Sequence, residues 1–297
     1  MKKHAYLIMA HNEPYILEKL ILLLDDKRND IYIHIDKKNK SINLDHLKTI
    51  VKYSNIYYTK RLDIRWGSYK QIKCEYLLLE EATKLQYQYY HFISGVDLPI
   101  KSQDDIHNFF DKNAGKEFIH YFKHQYIHDH RLERVKYYHL FTNNLRSSNK
   151  YLKKIYQKLH SITLKIQKVF KVNRIKNKQF MYGANWFSIT DSCARYVLTK
   201  KEDVLSNYKY TFCADEFFLQ TIIKYSKFYD NLYTNIDDDY HQIMRLIDWD
   251  RGSPYTFNKN DFNDIMKSDM LFVRKLSTND KKHKDLIDLI YNNIKGD

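Results

Sequence analysis

A chain of 297 residues with a formal charge of +14, 43% hydrophobic residues, six glycines and three prolines describes a packed globular protein and excludes a disordered or fibrous one. Cys74, Cys193 and Cys213 stand far apart with no CxxC pair, which excludes a zinc ribbon or disulfide framework and fits a reducing compartment. No run reaches the ~18 apolar residues of a spanning helix, and the positive charge calls for an anionic partner.

In chain order, Ala5–Ala10 is an apolar run, too short for a signal segment, and reads as a buried first strand. Pro14 then opens a helix through Tyr15–Leu24, and Asp30–Asp36 alternates β-branched and polar residues as a second strand. Strand–helix–strand is the unit of a parallel sheet, whose ligands bind beyond the strand C-termini. Asn55–Tyr58 is the next strand, and Ser68–Leu85 a helix with Ser68 at its N-cap. Tyr89–Ser94 is a buried strand closed by the turn Gly95–Pro99, after which Ser102 caps a helix to about Phe110.

The second half is less regular. Asn185–Ile189 reads as a strand, Thr190 or Asp191 caps a helix, and Asp215 starts another. Between Arg134 and Thr190 there is no Asp or Glu while Lys and Arg recur, and Tyr151–Lys171 is a basic helix. Its apolar positions 152, 155, 159, 162, 166, 169 and 170 follow three- and four-residue steps. That stripe either packs the helix onto the body or lies in an anionic bilayer. No nucleic-acid-binding signature accompanies the basic block, so a membrane surface is the better polyanion and no nucleic-acid partner is expected. With no Gly/Ser linker, 1–297 reads as a single α/β domain with a basic helical insertion at about 143–178.

No P-loop, dinucleotide fingerprint, GxSxG or HExxH is present. What remains is a set of carboxylates at strand or loop ends, Asp36, Asp97 and the Asp215–Glu216 pair, with Asp248-Trp249-Asp250-Arg251 and Arg274-Lys275 late in the chain. Each has an ordinary structural use: Asp36 and Asp97 in turns, Asp215 as a helix cap, Trp249 in a core.

Taken together these segments resemble a family. Ala5–His11, Ile33-His34-Ile35-Asp36, Trp66-Gly67-Ser68 and Phe92–Lys101 are similar, in order, to motifs of the core-2/I-branching β-1,6-N-acetylglucosaminyltransferases and the related peptide O-xylosyltransferases. Tyr182–Phe187, Cys213–Phe218, Ile247-Asp248-Trp249 and Leu271–Lys275 continue the series, so the resemblance spans roughly Lys3 to Leu276. The basic segment departs from the animal enzymes, as does the absence of their disulfide cysteines and membrane anchor, which suggests a microbial, cytoplasmic member, peripheral on the inner face of the membrane.

The resemblance implies a GT-A-like fold, with a mostly parallel central sheet flanked by helices, and an inverting transfer from a UDP-sugar. N-acetylglucosamine is the expected sugar, with xylose the other one the family suggests. The expected acceptor is a hydroxyl of a glycan or lipid-linked glycan in surface polysaccharide synthesis. Such a reaction needs a base for the hydroxyl and cations for the departing diphosphate. The resemblance makes Glu216 the base and Lys275 a diphosphate cation, with Arg251 added by an ungapped count back from Lys275. It sets His11, Asp36, Trp66, Asp97 and Asp215 around nucleotide and sugar, and Trp249 toward the acceptor. Basic side chains in place of a metal mean that no cofactor is expected. Two rivals stand beside this: a metal-dependent transferase using Asp237-Asp238-Asp239 or Asp248/Asp250, and a non-catalytic membrane- or polyanion-binding protein on the same scaffold.

Overall fold

The computed structural model describes residues 2–122, 129–175, 179–234 and 240–296. Its strands are β1 (His4–Ala10), β2 (Asn29–Ile35), β3 (Asn55–Tyr58), β4 (Tyr89–Ser94), β5 (Leu98–Pro99), β6 (Phe118–Ile119), β7 (Phe187–Thr190), β8 (Arg245–Ile247) and β9 (Phe272–Arg274). The helices are α1 (Pro14–Leu24), α2 (Leu44–Thr49), α3 (Lys70–Ala82), α4 (Gln103–Lys112), α5 (Asp129–Lys136), α6 (Lys150–Val169), α7 (Asp191–Thr199), α8 (Lys201–Tyr208), α9 (Phe218–Lys224), α10 (Phe262–Lys267) and α11 (Lys281–Lys295).

Six strands form the main sheet in the order β3-β2-β1-β4-β7-β6. The first four are parallel, β7 runs antiparallel to β4, and β6 antiparallel to β7. This is the mostly parallel α/β sheet expected of a GT-A-like fold. A small second sheet, β5-β9-β8, lies across the chain from it in sequence, joining Leu98–Pro99 to the C-terminal third.

Both faces of the main sheet are covered, which explains why β1 and β2 read as near-continuous apolar runs. Ala5 and Leu7 belong to a core with Ile72, Leu79 and Phe92, while Tyr6, Ile8 and Ala10 join Leu17, Leu20, Ile21 and Ile287 on the other face. Helix α1 follows from Pro14 in its first turn, a good start because proline has no amide hydrogen to leave unpaired. It buries Ile16, Leu17, Leu20, Ile21, Leu23 and Leu24.

Ser102 and Thr190 cap α4 and α7 as expected, accepting from the amides of Asp105 and Cys193. Ser68 does not cap α3. The helix starts two residues later, the Ser68 carbonyl accepts from the Gln71 amide, and its hydroxyl is buried without a hydrogen-bond partner. The sequence offers a serine before an apolar run, but the chain is still turning through Trp66–Ser68 at that point.

Helix α6 forms where expected, capped by Asn149, yet none of its 20 residues is buried. Gln157, His160, Gln167 and Lys168 tie it to the body by polar contacts. The packed-stripe reading therefore fails, because the stripe points outward.

Candidate active site

Because β1, β2 and β4 are parallel, their C-terminal ends share one edge of the sheet, and His11, Asp36 and Gly95–Asp97 follow there. The Asp36 amide donates to the Ala10 carbonyl and the Gly95 amide to that of Met9, which holds this edge together. The Asp36 carboxylate is buried and accepts from the amides of Lys38 and Ile64 at 2.8 and 3.0 Å, with the Lys38 ammonium at 3.4 Å. It thus braces the loop leading to Trp66. The His11 ring sits on the exposed side of the edge. Partial burial lowers its pKa; Asp36 opposes this, and Lys275, Arg274 and Lys38 add to the lowering.

Asp97 is buried under a cation. Its Oδ2 accepts from the Ser94 amide at 2.8 Å and its Oδ1 from Arg274 at 2.7 Å. The Arg274 guanidinium stacks on Trp186 at 4.2 Å from the ring centre. Asp97 is therefore the clamp between the main sheet and β9, and both its oxygens are engaged within the protein rather than turned toward a nucleotide or sugar. Lys275, one residue on, is half-buried, and no carboxylate among the described residues pairs with its ammonium. A half-buried lysine without a counter-ion, within electrostatic reach of His11, is poised for an anionic ligand.

The acid pair lies on a single 3₁₀ turn, Ala214–Glu216, entered through Cys213 at φ 47°. Its two carboxylates point apart. Asp215 is buried, and its Oδ2 accepts from Gln71 at 2.9 Å and Asn185 at 3.3 Å, while Oδ1 has no partner. Burial pushes the Asp215 carboxyl up, and Glu216 beside it adds to the rise. Glu75, also buried with both oxygens unpartnered, is raised by burial and then by Asp215. Asp215 therefore fastens the turn and does not reach out to a sugar. Gln71 passes the link on by accepting from the Gly67 amide at 2.7 Å, and the Gly67 carbonyl accepts from Cys213. Gly67 sits at φ +75°, and a Cβ there would meet the Phe212 ring at 2.4 Å, so the turn requires glycine.

Glu216 is half-buried and reaches the opposite way. Arg134 of α5 donates to its Oε2 at 2.6 Å, and Arg131 lies over the Tyr182 ring at 4.8 Å beside it. Adjacent acids in contrasting surroundings are how a protein separates a structural carboxyl from a reactive one. Trp66 is half-exposed, with the Arg146 guanidinium stacked at 3.4 Å from its ring centre. Arg131, Arg134 and Arg146 were not singled out by sequence; the acid-free basic run was the signal that contained the last two, and Arg274 was named only as the neighbour of Lys275.

The C-terminal candidates sit otherwise. Arg251 is held by Asp248 and by Asp261 at 2.7 Å and stacks on Tyr255, so its charge is already met by two carboxylates. That is a structural ion-pair cluster, and it weighs against the diphosphate role. Asp248 also accepts from the amides of Asp250 and Arg251 at 2.9 Å, which commits its oxygens and leaves Asp250 exposed without it as a paired ligand. Trp249 is half-exposed, not core, and free to face a ligand. Asp237-Asp238-Asp239 lies outside the described residues. A cavity of about 600 Å³ lined by Phe180, Tyr208 and Tyr225 shares none of these side chains.

The mostly parallel α/β sheet thus gathers an outward carboxylate, a half-buried lysine and several arginines, a set suited to an anionic ligand near its strand ends. The family model "Core-2/I-Branching enzyme" matches residues 4–271, and the chain belongs to that glycosyltransferase family. Xylosyltransferase 2 of Canis lupus familiaris is 19% identical over 281 residues, and that of Rattus norvegicus 20% over 282. Each match covers 87% of this chain, which spans only 30% of the length of those relatives. Among solved structures, mouse xyloside xylosyltransferase 1 in its apo form is 8% identical, covering 91% of this chain and 96% of its own, at a TM-score of 0.37. S. aureus TarS is 15% identical over 37% of this chain and 20% of its own, at a TM-score of 0.29.

Proposed function

We propose that this chain transfers a sugar, N-acetylglucosamine as the first candidate, from a UDP-sugar to a hydroxyl of a glycan or lipid-linked glycan, with inversion to a β-linkage. The observation that carries the reading is Glu216, the one member of the acid pair that reaches outward, in a chain of this family. The acceptor hydroxyl gives its proton to the Glu216 carboxylate as its oxygen bonds to the anomeric carbon. The bond from that carbon to the diphosphate breaks on the opposite face, and UDP leaves with its added charge against the Lys275 ammonium. Arg134 holds the free carboxylate until an acceptor takes its place. Asp215, Gln71 and Asn185 position the turn, and His11, Trp66 and Trp249 line the approach. The setting is surface polysaccharide synthesis at the cytoplasmic face of a membrane, in one transferase domain with the 143–178 segment inserted.

UDP release from a panel of UDP-sugars, with and without EDTA, tests this. One donor should be turned over equally in both conditions. Lys275→Ala should lower turnover and donor affinity together, since the ammonium meets both bound and departing diphosphate. Strict dependence on manganese or magnesium would restore the Asp248/Asp250 reading, and release from no donor would leave a binding protein.

A further inference from the structure

We infer that α6 is a docking surface for an anionic lipid bilayer, lying in its interface with the apolar stripe down. This deepens the lipid-face part of the proposed function and is independent of the transfer chemistry.

At about 3.6 residues per turn, the half-buried positions 156, 160, 163, 164 and 167 fall together on the inner face of the helix. That face is held by polar contacts: His160 to His139 at 2.9 Å, Gln167 to the backbone of Tyr138, and Lys168 to Glu133 at 2.6 Å. The other side carries Leu152, Ile155, Leu159, Ile162, Ile166, Val169 and Phe170, all exposed, with Ile155 at 52% and Val169 at 77%. A contiguous apolar row of this length on a soluble surface marks something that covers it.

Charge selects the occupant. Lys154, Lys158 and Lys165 run along one edge of the stripe, all exposed, and no Asp or Glu occurs anywhere from Arg134 to Thr190. A second copy would bring two such lysine rows together on chains of charge +14 each, whereas anionic headgroups complement them. An apolar face flanked by lysines is the pattern of a helix lying in an interface. Among the described residues no helix is long and apolar enough to cross a membrane.

The position of α6 gives docking a purpose. On α5, Glu133 binds Lys168 of α6 while its neighbour Arg134 binds Glu216. Arg146, just before α6, stacks on Trp66. A bilayer under α6 therefore sits beside the turn that carries Glu216, where a lipid-linked acceptor would arrive.

The experiment is co-sedimentation of the full chain with vesicles of equal parts phosphatidylglycerol and phosphatidylcholine, against pure phosphatidylcholine. Binding should require the anionic lipid and weaken with salt. The triple variant Lys154→Glu, Lys158→Glu, Lys165→Glu should partition at least ~10²-fold less. Ile155→Ser with Ile162→Ser should also release the chain, while circular dichroism stays unchanged in both variants. Three results would overturn the inference: no binding to anionic vesicles at low salt, equal binding by the charge-reversed variant, or a dimer dissolved by the serine pair without any vesicle binding. If vesicles bind but no donor releases UDP, the transferase reading fails and the docking surface stands.

Discussion

Helices α1 and α6 carry apolar residues at the same three- and four-residue steps and put them to opposite uses. In α1 six of 11 residues are buried against the parallel sheet; in α6 none of 20 is. Around α1, Tyr6, Ile8 and Ile33 present an apolar sheet face that needs a cover. Around α6, the neighbouring surface offers a carboxylate, a histidine and backbone groups of residues 138 and 145, so the helix seats on its polar side. Periodicity states that a helix has an apolar face; the partner decides where that face goes. The lesson separates two regions, a sheet half that holds the fold together and a basic segment that meets the site.

Glu216→Gln should give the largest effect. It keeps the shape of the side chain and removes its basicity, so transfer should fall ~10²–10⁴-fold in steady-state kinetics, with donor affinity and denaturant midpoint little changed. Lost stability of several kcal/mol would mean that the Arg134 pair belongs to the fold and not to the site.

Leu20→Ala tests the other region. Deleting a fully buried leucine from α1 should cost about 2–5 kcal/mol in urea unfolding and leave the kinetics of the remaining folded protein intact. A cost near zero would put the α1 stripe on the same footing as that of α6.

Glu117 sharpens the comparison between acids. It is buried at the foot of α7, where both its oxygens accept from Thr190, and burial outweighs those bonds to raise its pKa to about 7. An acid raised in the folded state favours folding most below its unfolded value of about 4.3 and loses that contribution as pH rises through the folded value. Stability should therefore decline by about 3 kcal/mol across that window. Glu117→Gln mimics the protonated carboxyl and should flatten the slope, as read from the denaturant midpoint against pH, without altering transfer.

The smallest effect belongs to α6. Ile162→Ala should change stability by under about 1 kcal/mol, because the side chain is exposed and packs into no core. A larger loss would show that the stripe is packed in solution, by a second copy or another part of the chain.

The order β1, α1, β2, β3, α3, β4, the caps Ser102 and Thr190, the α6 helix and the family motifs were legible in the sequence. They rest on apolar periodicity, on hydrogen bonds within four residues and on motif order, all of which travel with the local chain. Ser68 misled because a cap is settled by where the backbone stops turning, and Phe212, packed on Gly67 from across the fold, bears on that. Which of two adjacent acids reaches outward was decided by Gln71 and Asn185, brought to Asp215 from far along the chain. The pairs Arg134–Glu216 and Asp97–Arg274 join residues 82 and 177 positions apart, so no local pattern encodes them. The residue types and their periodicity were thus determined by sequence alone, whereas charge pairing and the direction of each face depended on which distant surfaces the folded chain brings within a few ångströms.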